Sequence, residues 1–347
     1  EAGAKRRAGQ GFIELLAVRG EGRLPSAHHR SRIQMQDYVG IEIGGTKLQL
    51  LRANERGEIQ EACRLGVKSA EGAGAIRTEI ERILPRLLGP GRVAAIGVGF
   101  GGPVDWKTGR IRRSHQVEGW SEFDLGTWLK HLAGIPVFVD NDANVAALGE
   151  AARGAGTGCN PVFYVTLGSG VGGGLLVDGR IYHGQPPGEA EIGHVRLDRS
   201  GTIVENRCSG WAVDARIREL KSRHPDCPLA RMLGEAVGGE ARHLGPALDR
   251  QDPVAWQILR ETAEDLAFAL SHVTHLVHPE IIILGGGLSL VGEPLRAEVE
   301  AALPEFVMDA FGDGPRVALS GLGQDAVPVG ALELARGRLH AQPCQKG

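Results

Sequence analysis

YVGIEIGGTKLQLLRA at residues 38–53 and VFYVTLGSGVGGGLLV at residues 162–177 are the stretches on which the fold turns. In each, an apolar run ends in glycines and is answered by a second apolar run, the pattern of two strands folded into a hairpin. The first reads as strands Tyr38–Ile43 and Lys47–Ala53 around Gly44-Gly45-Thr46. The second reads as strand Val162–Leu167, a glycine-rich turn over Gly168–Gly174, and Leu175–Val177 leading into a tight hairpin at Asp178-Gly179.

Outward from each hairpin the pattern changes to alternating strands and helices. After the first come a third strand near Cys63–Val67, a helix with Ile76, Ile80, Ile83, Leu84 and Leu87 on one face, strand Arg92–Phe100, helix Phe123–Ala133, strand Val137–Val139 and helix Asp142–Ala152. After the second, Asp252-Pro253 marks a helix start, with Leu259, Ala263, Leu266, Leu270, Val273 and Val277 as its apolar stripe. Strand Glu280–Leu284, strand Val317–Ser320 and a final helix over about 327–341 close the chain. The same order occurring twice predicts an α/β protein of two related domains with a cleft between them, at 35–145 and 146–326, the final helix free to pack back on the first. Residues 1–34 are basic and aperiodic and read as a disordered extension or, alternatively, a short partner-binding arm.

Bulk composition narrows the function classes. Of 347 residues, 42% are hydrophobic and 23% charged, and the net charge of -3 gives no electrostatic footprint for nucleic acid or an anionic membrane. No apolar run approaches the roughly 18 residues of a membrane span. Cys63, Cys159, Cys208, Cys227 and Cys344 are odd in number and far apart, which argues against a disulfide framework and for a reducing cytoplasm.

The glycine loops carry the first chemical signal. Gly168-Ser169-Gly170-Val171-Gly172-Gly173 has the letters of a dinucleotide fingerprint, but that loop must open a helix, and here a strand follows. Gly44-Gly45-Thr46-Lys47 lacks the first glycine of a Walker loop and also precedes a strand. A glycine hairpin can instead offer backbone N–H groups and a hydroxyl to phosphate. Either hairpin alone is equally a plain tight turn; the pair at equivalent places suggests a clamp on a nucleotide's phosphates. Gly285-Gly286-Gly287 ends a buried strand, where a flat ring could lie on bare backbone or where the chain simply turns into a helix.

Acid–base candidates follow. Asn141-Asp142 ends a strand and opens a helix, at the mouth of an α/β sheet where ligands collect. Asp142 there is either a general base for an alcohol proton or a helix cap. Glu191, His194 and Glu205 suit polyhydroxyl recognition but read equally as surface side chains. His272, His275 and His278 lack Cys or carboxylate partners and read as structural.

Six motifs in order resemble the ROK group of sugar kinases and repressors, which includes bacterial glucokinases. They are Gly40–Lys47, Gly97–Asp105, Asn141–Asn144 with Ala147–Glu150, Thr166–Gly174, Glu191–His194 and Pro279–Gly287, so the resemblance spans about Val39 to Gly330. It implies two actin/hexokinase-like, ribonuclease H-like domains and an ATP- and magnesium-dependent kinase acting on a hexose, with homodimerisation. It makes Asp142 the catalytic base, Gly102, Asn141, Glu191, His194 and Glu205 the sugar contacts, and Gly44, Gly45, Thr46, Lys47, Thr166, Gly168, Ser169 and Gly170 the phosphate contacts. Gly285, Gly286 and Gly287 fall on the adenosine side. Two departures stand out. Val195–Val204 contains no cysteine, so the structural zinc of many members is not expected, and Glu42 stands where Asp is common, with a water-mediated role toward magnesium.

The leading expectation is therefore glucokinase activity. Alternatives are a kinase for fructose, mannose or an N-acetylhexosamine, with ATP or polyphosphate as donor, or a sugar-sensing regulator. The last is disfavoured because the roughly 35 residues before the first strand show no helix-turn-helix pattern.

Overall fold

The computed structural model describes residues 36–89, 93–114, 116–186, 188, 190–234 and 237–341. The expectation for residues 1–34 lies outside them. Met35–Gly347 cluster as one compact unit.

In chain order the strands are β1 (Asp37–Ile43), β2 (Lys47–Asn54), β3 (Ile59–Gly66), β4 (Val93–Phe100), β5 (Val104–Asp105), β6 (Arg110–Ile111), β7 (Val137–Asn141), β8 (Val162–Leu167), β9 (Val171–Val177), β10 (Arg180–Ile181), β11 (Ile281–Gly285) and β12 (Arg316–Leu319). The helices are α1 (Gly72–Leu88), α2 (Leu125–Ala133), α3 (Asp142–Arg153), α4 (Glu205–Cys208), α5 (Gly210–Arg223), α6 (Pro228–Met232), α7 (Leu244–Asp249), α8 (Pro253–Val277), α9 (Glu293–Ala302) and α10 (Ala326–Ala341).

One sheet runs β3-β2-β1-β4-β7 and the other β10-β9-β8-β11-β12. Position for position these are the same order, with an antiparallel meander on one side of β1 or β8 and parallel strands on the other. The duplication expected from the two hairpins is therefore present. β1 is buried at every position, including Asp37 and Glu42, because both faces of its sheet are covered.

α3 joins the halves. It packs against β4 and β7 of the first sheet and β8, β9 and β10 of the second, so the expected boundary at 145/146 falls inside a helix both sheets share. α10 returns from β12 to lie on β1, β4 and α3. Buried Glu150 of α3 helps hold that return, accepting from Gly321 N, Leu322 N and the Ser320 hydroxyl.

Two local expectations are corrected. The second glycine turn covers only Gly168–Gly170, because Gly172, Gly173 and Gly174 lie in β9 and pair with Thr166, Val165 and Tyr164. Their missing side chains admit neighbouring backbone: a Cβ at Gly174 would overlap Ala143 of α3. The helices over residues 205–249, and α9, carried no sequence expectation; α5 has a weakly apolar face whose buried residues are Val213, Asp214 and Ile217. The Asp178-Gly179 hairpin and the Asp252 cap are as expected, Asp252 accepting from Val254 N at 2.8 Å.

Candidate active site

Parallel register brings three loops to one level. Ile43 of β1 pairs with Phe100 of β4, and Phe100 with Asn141 of β7, so Gly44, Gly101 and Asp142 leave the sheet side by side at its carboxyl end. A Cβ on Gly101 would lie 3.4 Å from Asp142 Oδ2, and Gly101 N donates to Ile43 O at 2.9 Å. Asp142 thus sits over the glycine loops rather than out on the helix.

The helix cap is its neighbour. Asn141 Oδ1 accepts from Ala143 N at 2.8 Å and Asn144 N at 3.3 Å, the N-cap bonds of α3, while its Nδ2 donates to Gly102 O at 3.2 Å. Asp142 is the first residue of the helix and accepts from Ala143 N at 2.8 Å through Oδ1. Its half-buried carboxyl group is pushed up to about 7, first by desolvation and then by the negative charge of Glu42; Ala143 N–H and Lys47 pull the other way. A carboxyl group poised there can take up and release a proton near neutrality.

The first glycine hairpin is backed by charge. Glu42, buried on β1, pairs with Lys47 Nζ at 2.9 Å and accepts from Gln49 Nε2 at 2.8 Å. Burial raises its proton affinity and Lys47 opposes this. Gln49 Nε2 also donates to Gln324 O at 2.8 Å, tying the hairpin to the approach to α10. Thr46 is exposed at the turn.

The second hairpin is backed by neutral donors. Gly168 N donates to Gly170 O at 2.9 Å, and Gly210 N at the start of α5 donates to Gly168 O at 2.7 Å. Glu205 Oε2 accepts from Val171 N at 2.9 Å, and a Cβ at Gly170 would overlap that carboxylate. Glu205 is therefore a link between the expected sugar pocket and this hairpin.

His194 and Glu205 flank Val195 and Val204, whose backbones are joined by Val204 N donating to Val195 O at 3.0 Å, so the two are brought together at the base of a hairpin. Asp198 shapes that hairpin's tip: its carboxylate accepts from Ser200 Oγ at 2.6 Å, Gly201 N at 2.9 Å and Thr202 N at 3.2 Å, bonds that hold it well below the usual carboxylate range. An aspartate turn thus organises the cysteine-free interval Val195–Val204. Glu191 and His194 are exposed, and the charge of Glu191 reaches Asp142.

The glycines of β11 have an internal reason. A Cβ at Gly285 would overlap the Tyr164 hydroxyl, and Gly286 has φ +81 with Leu167 backbone 2.6 Å from a would-be Cβ. Gly287 faces open space. His272 meets Phe268 edge to face, His278 stacks on Phe311, and His275 accepts from Met308 N.

Three residues were given no role in the sequence reading. Asp140 is buried and accepts from Asn141 N at 2.9 Å, Asn144 Nδ2 at 3.1 Å and His183 Nε2 at 2.7 Å. His183 stacks on Trp106 with centroids 4.1 Å apart. Gln116 reaches Ser169 Oγ at 2.9 Å. Asp140 adjoins a recognised pair and could have been noticed; the contacts of His183 and Gln116 are long-range and leave no local pattern.

Comparison with known proteins places the chain among sugar kinases. The chain is 30% identical over 307 residues to a glucokinase of Halalkalibacterium halodurans, covering 84% of this chain and 93% of that one. It is 31% identical to a fructokinase of Lactococcus lactis subsp. cremoris over 72% of this chain and 79% of the relative. A ROK family glucokinase from Streptomyces griseus, solved with glucose and AMPPNP, superposes with a TM-score of 0.76 at 29% identity, over 87% of this chain and 99% of that structure. The ROK family model matches residues 38–338, and the chain belongs to the ROK family.

Proposed function

We propose that this protein transfers the γ-phosphoryl group of ATP to the 6-hydroxyl of a hexose, with glucose as the leading substrate. One observation carries the reading: a carboxyl group pushed up to about 7 lies at the carboxyl end of three parallel strands, over the loop beside the first of two glycine hairpins. Likeness to glucokinases supports the choice of sugar.

In this mechanism the Asp142 carboxylate accepts the hydroxyl proton as the sugar oxygen bonds to the γ-phosphorus and the bond to the β-bridging oxygen breaks, releasing ADP. Gly102, Asn141, Glu191, His194 and Glu205 hold sugar hydroxyls. Asn141 Oδ1 already serves two N–H groups and one Nδ2 N–H is given to Gly102 O, so its remaining capacity toward sugar is the second N–H of Nδ2. Gly44, Gly45, Thr46 and Lys47 from one hairpin and Thr166, Gly168, Ser169 and Gly170 from the other receive the phosphates, with Gly285, Gly286 and Gly287 toward adenosine. Of these last, Gly287 has room for a ligand.

Magnesium fits the donor set. Glu42 and Asp142 are carboxylates close enough for one to raise the other's proton affinity, and this ion is ordinarily held by one or two carboxylates together with substrate phosphates. Glu42 would hold it through water, and it would supply charge neutralisation to the phosphates. Residues 35–145 and 146–326 are the lobes that close on the sugar, with α3 and α10 between them. The enzyme works in the cytoplasm as a homodimer in carbohydrate breakdown; no helix of the described residues is long and apolar enough to cross a membrane.

The test is ADP release across glucose, fructose, mannose, N-acetylglucosamine and N-acetylmannosamine, with ATP and polyphosphate compared as donors. Sugar-dependent ADP release greatest with glucose is expected. A strong preference for fructose would move the protein toward its fructokinase relative, and no turnover with any sugar would overturn the kinase reading.

A further inference from the structure

The loop between β6 and α2 places one side chain against both glycine hairpins. Gln116 Nε2 donates to Ser169 Oγ at 2.9 Å, and the same side chain lies on Gly45, where a Cβ would overlap Oε1 and approach Cδ at 2.8 Å and the Gln116 Cβ at 2.9 Å. The loop is fastened just beyond it. Val117 and Trp120 are buried in the first core, Val117 N donates to Ser114 Oγ at 3.3 Å, and Glu118 O accepts from Ala73 N at 2.8 Å. A half-buried amide on a tethered loop, spanning hairpins from separate sheets, is a placed donor rather than a surface side chain.

Its chemistry suits the gap. A carboxamide carries two N–H donors and no charge, so it can face phosphate oxygens without repelling them and without the tight pairing an ammonium would make to a carboxylate. The geometry points to Gln116 as a further phosphate-binding residue: one amide N–H remains on Ser169 and the other is given to the phosphoryl group in transfer. The inference rests on the kinase reading above. It also accounts for the absence of a side chain at Gly45, since alanine there would push the amide out of the gap.

Three variants test it, with binding of ADP and of the β,γ-imido analogue of ATP measured alongside turnover. Gln116→Ala is expected to lower kcat about 10–100-fold and weaken the imido analogue about tenfold while leaving ADP affinity and Tm near wild type. Gln116→Glu is the discriminating change. It keeps the shape and can still accept from the Ser169 hydroxyl, so a purely structural bridge would survive it. A phosphate contact would instead make it worse than alanine, by about a further tenfold, through charge repulsion. Gln116→Asn, one methylene short of Ser169, is expected to fall between wild type and alanine.

Near-wild-type turnover of Gln116→Glu, or equal loss of ADP and imido-analogue binding in Gln116→Ala, would overturn the inference while leaving the kinase reading intact. A wild-type protein that binds neither nucleotide and releases no ADP with any sugar would take down both.

Discussion

The hairpins β1–β2 and β8–β9 occupy the same place in sheets of the same strand order, yet they are supported by opposite chemistry. Next to the end of β1 stands Glu42, buried and paired with Lys47 and Gln49; at the matching place on β8 stands Thr166, opposite Gly172. The first hairpin brings charge to the cleft, and its charges act on Asp142. The second brings hydroxyls and backbone N–H groups, braced by Glu205 from behind. Repeating a topology reproduced the position of the turns. It did not reproduce their electrostatics.

The largest effect is expected where the charged side is neutralised at its centre. Asp142→Asn should lower kcat by about 10³-fold or more, since positioned proton transfer contributes roughly 10²–10⁴. Its effect on stability should have the opposite sign. A carboxyl group whose folded value is raised from 3.8 to about 7 contributes stability that is complete below pH 4 and lost as pH rises through 7. The permanently neutral amide should therefore be more stable than wild type at pH 8, by about 1–2 kcal/mol, readable as a higher Tm. A lower Tm with unchanged turnover would show that Asp142 is only part of the scaffold.

A smaller and more diagnostic pair sharpens the contrast between the hairpins. Activity should rise with pH through about 7 as Asp142 loses its proton. Glu42→Gln removes a charge that raises Asp142 and should move this limb to lower pH; Lys47→Met removes one that lowers it and should move the limb up. Thr166→Val, on the neutral hairpin, should weaken ATP about tenfold and leave the limb where it is. A limb that ignores both charge changes would mean that another group titrates.

The smallest effect belongs to the aspartate turn. Asp198→Ala removes three hydrogen bonds from the hairpin that joins His194 to Glu205, and the KM for sugar should rise about threefold with kcat little altered. Because its carboxylate is held below the usual range, the turn should loosen only as pH falls far into the acid.

Much of this was legible in the chain. Alternation and glycine placement located the strands that build both sheets, because a strand buried on its inner face leaves a period in the sequence and a tight turn leaves its glycines. Turn length was less legible: Gly172–Gly174 looked like loop and are strand, since glycine in a strand signals close packing as well as turning. Helices α4 to α7 were missed because they are short or only weakly amphipathic and draw their stability from tertiary packing, α4, α5 and α7 on α8 and α6 on α5 and α7.

By itself, then, the sequence determined the duplicated α/β order, the two glycine hairpins and the acid at position 142, all of which rest on local spacing. The tertiary structure alone decided that Asn141 rather than Asp142 caps α3, that Glu205 braces the second hairpin, that Asp140 meets His183, and that Gln116 lies between Gly45 and Ser169. The last three pairings join residues whose separation along the chain carries no period, so only packing of the finished sheets could bring them together.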